Sequence, residues 1–256
     1  MAMPQKGGAS LTDTLHPTAR QGTRMPATQT VPIELYYWAT PNGFKISIAL
    51  EELGVPYAVR FINIGKGEQF APAFLAVSPN NRIPAIVDPE GPDGKPISIF
   101  ESGAILIYLG EKFGRLYGRN ARERIAINEW LIWQVANVGP VFGPYNHFRK
   151  YAREQAPYAI KRFGDEVHRL FRVLNDWLAT RDFVVGDYSI ADIALFGWIR
   201  NWKNRDVDIA EFPNVEKWHD RIAARPAVQR GLALKAPVAL DIVNDDEARK
   251  VLFGQR

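Results

Sequence analysis

Three short segments carry polar groups whose types and spacing suit the binding of an anion or a peptide. In the first, Thr40-Pro-Asn42, a hydroxyl and an amide lie where a predicted strand meets a predicted helix. Free backbone N–H groups and the helix dipole favour a negative charge at such a position. A thiolate bound there would be stabilised, and the thiol pKa would fall below its usual value of about 8.5. Ordinary turn and cap chemistry explains the same two residues at least as well.

The other two segments are Ile83-Pro84 and Glu101-Ser102. Pro84 directly precedes a strand, and the X-Pro bond is the peptide bond in which a cis form is accessible. A cis proline here would leave the backbone N–H and C=O of Ile83 free to pair with an extended peptide. Glu101 and Ser102 open a predicted helix, where they would bind the α-amine and α-carboxylate of an amino acid. A trans loop proline and a plain helix cap remain the alternatives.

Composition restricts the chemistry further. The chain contains no cysteine, which excludes a disulfide framework, a zinc–thiolate site, an iron–sulfur centre and a protein thiol catalyst. Any reactive sulfur must therefore arrive with a ligand.

The net charge is only +4 and the basic residues are scattered, which is not typical of a nucleic-acid-binding protein. No run of about 18 apolar residues suits a membrane span, and residues 1–30 lack the apolar run of a secretory signal, so a cytoplasmic protein is expected.

The order of apolar patterns predicts two different halves. A strand at 33–38, a helix at 44–53 and a strand at 57–64 form a βαβ unit, which favours a parallel pair with a right-handed crossover. A hairpin of strands at 85–87 and 97–99 follows, and then a helix at 102–113. From about residue 119 the pattern is helical, with long helices at 122–138, 158–180 and 189–201 and shorter ones at 213–224 and 227–234. The predicted fold is thus an α/β half followed by an all-α half.

Domain boundaries follow from changes in composition. Residues 1–30 have little that would form a core and are expected to be a disordered arm. An α/β domain is predicted at 31–115, an all-helical domain at 119–240 and a tail at 241–256. Ser189-Ile-Ala-Asp192 has the spacing of a capping box with Asp in place of Glu, so we assign it to stability. His147 is a candidate for a pocket wall, although a single histidine is more often structural.

Several longer motifs resemble the glutathione transferases, specifically the Nu-class members that act as disulfide-bond oxidoreductases on glutathione. The motifs are Thr40-Pro-Asn-Gly-Phe-Lys, Leu50-Glu-Glu-Leu-Gly, Ile64-Gly-Lys-Gly-Glu-Gln-Phe70, Ser78-Pro-Asn-Asn-Arg-Ile-Pro-Ala-Ile-Val87, Phe100-Glu-Ser-Gly-Ala-Ile-Leu-Ile-Tyr-Leu109, Tyr158-Ala-Ile-Lys-Arg-Phe and Gly186-Asp-Tyr-Ser-Ile-Ala-Asp-Ile-Ala. The resemblance covers residues 33 to 235. It implies the glutathione transferase fold, a thioredoxin-like N-terminal domain followed by an all-helical C-terminal domain.

The resemblance also implies site residues and partners. Thr40 and Asn42 would lie beside the glutathione sulfur, in place of the catalytic Tyr, Ser or Cys of other classes. The residues that would contact the rest of glutathione are Gln69, Arg82, Ile83, Glu101, Ser102 and Arg162. Glutathione is the expected bound co-substrate, without a metal, and a homodimer is the expected assembly. Neither nucleic acid nor a membrane is expected as a partner.

Reduction of a small disulfide by bound glutathione is the leading predicted activity. Conjugation of glutathione to an electrophile and reduction of a peroxide use the same thiolate, and a glutathione-binding protein without catalysis is a further alternative. A substrate pocket between the two halves would be lined by aromatic residues, although most of these also suit a core. The aromatic residues considered for the pocket are Tyr37, Trp38, Trp133, Phe142 and Tyr145.

Overall fold

The fold is taken from a computed structural model, which describes residues 28–239 and 241–254. Most of the predicted arm, residues 1–27, lies outside the described residues. The N-terminal half contains a four-stranded sheet in the order β2-β1-β3-β4. Its strands are β1 (Ile33–Tyr37), β2 (Tyr57–Phe61), β3 (Ala85–Asp88) and β4 (Ile97–Phe100). β1 and β2 are parallel, whereas β3 is antiparallel to both β1 and β4. The predicted βαβ unit and hairpin are confirmed, and β2 ends three residues earlier than predicted.

Three helices cover the two faces of this sheet. They are α1 (Pro41–Leu53), α2 (Pro72–Leu75) and α3 (Ser102–Phe113). α1 and α3 pack against each other on the face to which Ile33, Leu35 and Tyr37 point, because alternate residues of β1 are buried. The ring of Phe74 in α2 lies 5.9 Å from that of Tyr36, so α2 covers the opposite face. The sequence predicted a loop where α2 lies, since a single helical turn is too short to show a period.

The C-terminal half is helical, as predicted. Its helices are α4 (Ala121–Trp133), α5 (Gly139–Asn146), α6 (Pro157–Trp177), α7 (Ile190–Ile199), α8 (Pro213–Ala223), α9 (Pro226–Ala233) and α10 (Asp246–Phe253). None of the described helices is both long and apolar enough to cross a membrane. α5 and α10 were not predicted. Two wider π-turns, at Gln134–Val138 and His147–Tyr151, flank α5, which contains Pro140 and Pro144.

Asp192 holds the centre of the helical half together. The predicted capping box at the start of α7 is present, with reciprocal bonds between Ser189 and Asp192. The wholly buried Asp192 carboxylate also accepts hydrogen bonds from the Val184 N–H at 3.0 Å and the Trp218 indole at 2.9 Å. Burial raises the pKa of Asp192 to about 6. These contacts join α7, α8 and the preceding loop, which supports the structural role assigned from the sequence.

Helix α1 joins the two halves. α7 and α9 pack against α1 from the helical half, and a side chain on Gly231 of α9 would come within 2.8 Å of the Ile48 backbone. The Ser47 hydroxyl donates to the Gly231 carbonyl at 2.9 Å, and Arg225 forms a two-bond ion pair with Glu52 at 2.6 and 2.8 Å. The N-terminus of α1 is therefore fixed relative to the helices that face it.

Most of the aromatic residues proposed for the substrate pocket belong instead to the core. Tyr37 and Phe142 are wholly buried, and Trp38 and Tyr145 are 3% and 6% exposed. The alternation of β1 turns Tyr37 inward, where its hydroxyl donates to the Leu234 carbonyl at 2.9 Å. Phe142 stacks on Phe171, with ring centroids 5.7 Å apart. For these four residues the prediction of a pocket wall is wrong.

Residues 29 and 30 contact the body of the protein, although the sequence places them in the arm. Lys112 donates to the side chain of Gln29 at 2.6 Å and to the buried Asp88 at 2.5 Å, while Gln29 donates to Asp88 at 3.1 Å. Burial alone would raise the pKa of Asp88, but its hydrogen bonds from Lys112, Tyr108 and the Glu90 N–H hold it below the usual value. The chain thus enters the sheet through a defined set of contacts.

Candidate active site

A cleft lies between the sheet domain and the helical half, at the N-termini of α1 and α3. It consists of a cavity of about 440 Å³ and a second of about 240 Å³, which share Asn42, Arg82 and Ile83. The larger cavity is lined by Thr40, Pro41, Asn42, Ile64, Gln69, Asn81, Arg82, Ile83, Tyr151, Trp198, Ile242, Leu252 and Phe253. The smaller is lined by Asn42, Ser78, Arg82, Ile83, Pro84, Phe100, Glu101 and Ser102.

Seven of the eight predicted site residues line this cleft: Thr40, Asn42, Gln69, Arg82 and Ile83 in the larger cavity, with Glu101 and Ser102 in the smaller. Arg162 is exposed on α6 and lines neither cavity, so its role stays a prediction. Within residues 28–239 and 241–254, no group of three or more His, Asp or Glu side chains is placed to bind a metal ion.

Thr40 and Asn42 both line the larger cavity, and each has a donor that is left uncommitted. The Thr40 hydroxyl oxygen caps α1 by accepting the Gly43 N–H at 3.1 Å, which leaves its own O–H available. The Asn42 amide oxygen accepts the Trp198 indole N–H at 2.9 Å. Because an indole can only donate, this bond fixes the amide orientation and leaves the Asn42 NH₂ free to donate. Two donors at the N-terminus of a 13-residue helix suit an anionic ligand atom.

The segment before β3 presents backbone groups to the same cavity. The Ile83–Pro84 peptide bond is cis, as predicted. Among the described residues, the N–H and C=O of Ile83 have no hydrogen-bond partner, so both are available to a peptide. Gln69 is buried, and its side-chain N–H donates to the Ile64 carbonyl at 3.1 Å. The Arg82 side chain is exposed at the mouth of the cleft, where it donates to Asn81 at 3.0 Å.

Glu101 and Ser102 form the inner end of the smaller cavity. Glu101 is exposed, and its backbone has φ 68° and ψ 115°, a region that residues other than glycine rarely adopt. Backbone strain of this kind is found mainly at functional sites. Ser102 is 7% exposed and is the first residue of α3. The Glu101 carboxylate accepts a long hydrogen bond from the Asn80 amide at 3.4 Å and forms no ion pair among the described residues. This carboxylate beside the first turn and the Ser102 hydroxyl within it suit the two charged groups of an amino acid.

Sequence reasoning missed the residues that close the cleft from the helical half. Trp198 of α7 orients Asn42 from 156 residues away. Ile242, Leu252 and Phe253, in the predicted tail, form an apolar wall opposite Thr40. The Phe253 ring packs on His147 and Tyr151, with centroids 4.4 and 5.8 Å apart. His147 does not line the larger cavity itself but lies behind Phe253. No local pattern links these residues to the first half.

Two family models match the chain in consecutive regions. "Glutathione S-transferase, N-terminal domain" matches residues 31–111, and "Glutathione S-transferase, C-terminal domain" matches residues 139–226. The fold and cleft define a two-domain protein with a thioredoxin-like sheet domain and a helical domain. More particularly, the chain belongs to the glutathione S-transferase family.

Relatives of known name and structure share most of the chain. It is 48% identical over 206 residues to the disulfide-bond oxidoreductase YfcG of Escherichia coli, covering 80% of this chain and 95% of that protein. A glutathione transferase family member from Pseudomonas fluorescens, solved with two glutathione bound, is 44% identical with a TM-score of 0.76, over 78% of this chain and 92% of that one. A glutathione transferase from Pseudomonas putida, with one glutathione disulfide bound per subunit, is 39% identical with a TM-score of 0.78, over 82% and 95%.

Proposed function

We propose that this protein is a glutathione-dependent disulfide-bond reductase in which bound glutathione supplies the nucleophilic thiolate. The observation that carries the proposal is the pair of donors at the N-terminus of α1. The oxygens of Thr40 and Asn42 are already engaged by Gly43 and Trp198, so the O–H and NH₂ groups of these two cavity-lining residues are left to donate to a ligand. Because the chain has no cysteine, the sulfur that these donors serve belongs to the ligand.

The rest of the cleft suits the remaining parts of glutathione. In the proposed complex the free N–H and C=O of Ile83 pair with the cysteinyl residue, as one added strand pairs with another. Glu101 binds the γ-glutamyl ammonium group, and Ser102 with the N-terminus of α3 binds the γ-glutamyl carboxylate. Gln69 and Arg82 contact the remainder, and Arg162 approaches from the helical half.

The proposed reaction consumes two glutathione molecules for each disulfide. The bound thiolate attacks one sulfur of the substrate disulfide, which forms a mixed disulfide and releases the other sulfur as a thiolate. A second glutathione thiolate attacks the glutathione sulfur of the mixed disulfide and releases the second substrate thiolate. Two protons and two electrons pass from the two glutathione thiols to the two product thiols, and the two glutathione molecules are left joined as glutathione disulfide. The relative from Pseudomonas putida binds glutathione disulfide, the oxidised product of this reaction.

The test is steady-state reduction of 2-hydroxyethyl disulfide by glutathione, coupled to glutathione reductase. We expect turnover by the wild type and a fall in kcat of at least about a hundredfold in Thr40→Ala/Asn42→Ala, since one preorganised donor at a developing anion contributes about 10²–10³ in rate. Wild-type protein that binds glutathione but has no turnover would contradict the reductase function and favour a binding role.

Two conservative variants separate donation from packing. Thr40→Ser keeps both the cap and the hydroxyl donor and should retain activity within about threefold, because neither hydrogen bond is lost. Asn42→Asp still accepts from Trp198 but replaces the NH₂ donor with a negative charge. It should therefore lose activity like the alanine variant and raise the pKa of the bound thiol. Equal activity of the Asp and Asn proteins would show that Asn42 does not donate to the sulfur.

Conjugation of glutathione to an apolar electrophile is the second candidate. The apolar wall of Trp198, Ile242, Leu252 and Phe253 favours it, because such a surface would bind an aromatic substrate more tightly than a small polar disulfide. Faster turnover with an aryl halide than with 2-hydroxyethyl disulfide would replace reduction with conjugation as the main activity. Peroxidase activity uses the same thiolate and is measured in the same coupled assay.

We also propose that the protein forms a homodimer. One face of α4 and the turn after it exposes Ile125, Ile132 and Val135, which are 62%, 60% and 40% exposed, and a second copy of the chain would cover them. Sedimentation velocity gives the number of subunits.

We also propose, from the sequence, that the protein is cytoplasmic and that its two domains span residues 31–115 and 119–240.

A further inference from the structure

Lys45 is a buried lysine beneath the smaller cavity, outside the residues so far assigned to the site. It lies on α1, is 1% exposed and forms no ion pair among the described residues. Its Nζ lies 3.2 Å from the Ser102 Oγ and 2.5 Å from the Gln134 Oε1. A buried ammonium group without a counterion is costly. When Lys45 is protonated, the site therefore has a positive charge that no described carboxylate neutralises by contact.

The protonation state of Lys45 determines what Ser102 can do. A charged ammonium group has three donors and no acceptor, so the Ser102 oxygen must accept from Lys45. The Ser102 O–H then cannot point back at Lys45 and is available to the cavity that Ser102 lines. Gln134 is wholly buried, and its side-chain oxygen accepts a second hydrogen bond from the Lys45 ammonium group. The charge and the orientation both favour an anion at the N-terminus of α3.

We propose that Lys45 is a positioning residue for the carboxylate of the ligand. It fixes the Ser102 hydroxyl as a donor and supplies the positive charge that the carboxylate complements. The ligand group is the α-carboxylate of an amino acid, which is the γ-glutamyl carboxylate of glutathione, so the inference rests on the proposed function. Lys45 acts through Ser102 and does not itself contact the ligand.

The alternative is that Lys45 only ties α1 to α3 and to the segment after α4. Lys45→Met removes the charge and the donors while keeping a long apolar side chain. Gln134→Met is the matched control, because it breaks the other bond of Lys45 at an equally buried position and leaves the bond to Ser102. Circular dichroism and thermal unfolding establish that both variants are folded.

Binding is measured by calorimetry with S-methylglutathione, whose blocked sulfur removes the thiol from the comparison. A second ligand, the 4-aminobutanoyl analogue of S-methylglutathione, lacks only the γ-glutamyl α-carboxylate. Lys45→Met should weaken S-methylglutathione at least about tenfold, the effect of a hydrogen bond to a charged group. It should change the Kd of the carboxylate-free analogue by less than about twofold. That ligand has no carboxylate for Lys45 and Ser102 to bind, so the substitution removes no interaction with it. Gln134→Met should change the two affinities equally.

A measurement on wild-type protein alone gives a second test. Burial lowers the pKa of Lys45 to about 7, and Glu101 opposes this shift. The other groups identified against Lys45 are Ser102, Gln134 and Gly197, none of which titrates. A bound carboxylate would raise the pKa of Lys45. At pH 7, calorimetry in buffers of different ionisation enthalpy should therefore show proton uptake with S-methylglutathione and none with the carboxylate-free analogue.

Three outcomes overturn this inference alone. Equal weakening of both ligands by Lys45→Met would leave Lys45 a structural residue only. Unchanged binding of S-methylglutathione by Lys45→Met, or wild-type binding without proton uptake, would remove its link to the carboxylate. In each of these cases glutathione binding by the wild type would stand. No binding of S-methylglutathione by the wild type would overturn the proposed function and this inference together.

Discussion

Some residues of the cleft are oriented by partners from the distant helical half, and Trp198 is the clearest case. Trp198→Phe keeps an aromatic ring beside Asn42 but removes the indole N–H that fixes the amide. We expect kcat/KM for disulfide reduction to fall about fivefold, since one hydrogen bond contributes about 1 kcal/mol. Ultraviolet absorbance of the bound thiolate against pH should show a raised thiol pKa.

Trp177→Phe is the matched control for this change. The Trp177 indole donates to the Val184 carbonyl at 2.8 Å and lies outside the cleft, so its loss should reduce stability and leave the thiol pKa unchanged. The same shift in thiol pKa in both variants would contradict a specific role for Trp198.

Residue types and local spacing predicted the groups along the cleft floor, but not the residues that orient them. Thr40, Asn42 and Ser102 were recognisable because strand-to-helix turns and helix N-termini have local signatures. Lys45 lies between Phe44 and Ile46 in a predicted helix, and nothing nearby indicates that the helical half buries it. In the sequence, Trp198 fits the apolar pattern of α7 and nothing distinguishes it from the other apolar residues of that helix. Their roles depend on contacts between distant parts of the chain, which a periodic pattern does not encode.

At the scale of elements, α10 lines the cleft with Leu252 and Phe253, and we predict that it selects the second substrate. Phe253→Ala removes one ring from the apolar wall. We expect KM for an aromatic disulfide to rise about tenfold, because burial of such a side chain contributes about 1.5–3 kcal/mol. KM for glutathione should remain near the wild-type value.

The control is Val243→Ala, since Val243 is 52% exposed in the same segment and does not line the cleft. Equal effects of the two substitutions on the aromatic substrate would contradict the role of α10. The sequence predicts a tail at 241–256 where α10 lies, since the family resemblance ends at residue 235, whereas α9, also eight residues long, falls within the resemblance and was predicted. α5 was missed for a different reason: Pro140 and Pro144 normally end a helix, but both lie within α5, and a π-turn flanks this helix on each side.

At the scale of the whole molecule, the close approach of α1 and α9 holds the halves together. Gly231→Ala would place a methyl group 2.8 Å from the Ile48 backbone, and we expect a loss of about 2 kcal/mol in the free energy of unfolding. Gly143→Ala is also within a helix, but its methyl group would meet only Trp198 at 3.9 Å. That variant should gain up to about 1 kcal/mol from helix propensity.

Urea unfolding followed by circular dichroism measures both glycine variants. An unchanged or increased free energy of unfolding in Gly231→Ala would show that α1 and α9 separate without cost. The overall arrangement was predictable to the extent that apolar periods define an α/β half and a helical half. The packing of α1 against α7 and α9 was not predictable, because it depends on the absence of a side chain at Gly197 of α7, where a Cβ would lie 2.6 Å from the Pro41 carbonyl, and at Gly231 of α9.

The composition of the cleft also affects how well the protein keeps its activity under oxidative stress. All three methionines lie within residues 1–25 and the chain has no cysteine, so residues 26–256 contain no sulfur atom. Hydroxyl and amide groups do not undergo the stepwise oxidation that inactivates a thiol enzyme irreversibly at the sulfinic stage. A sulfur damaged in the proposed site belongs to a small molecule that dissociates, and the next glutathione restores the site without a repair enzyme.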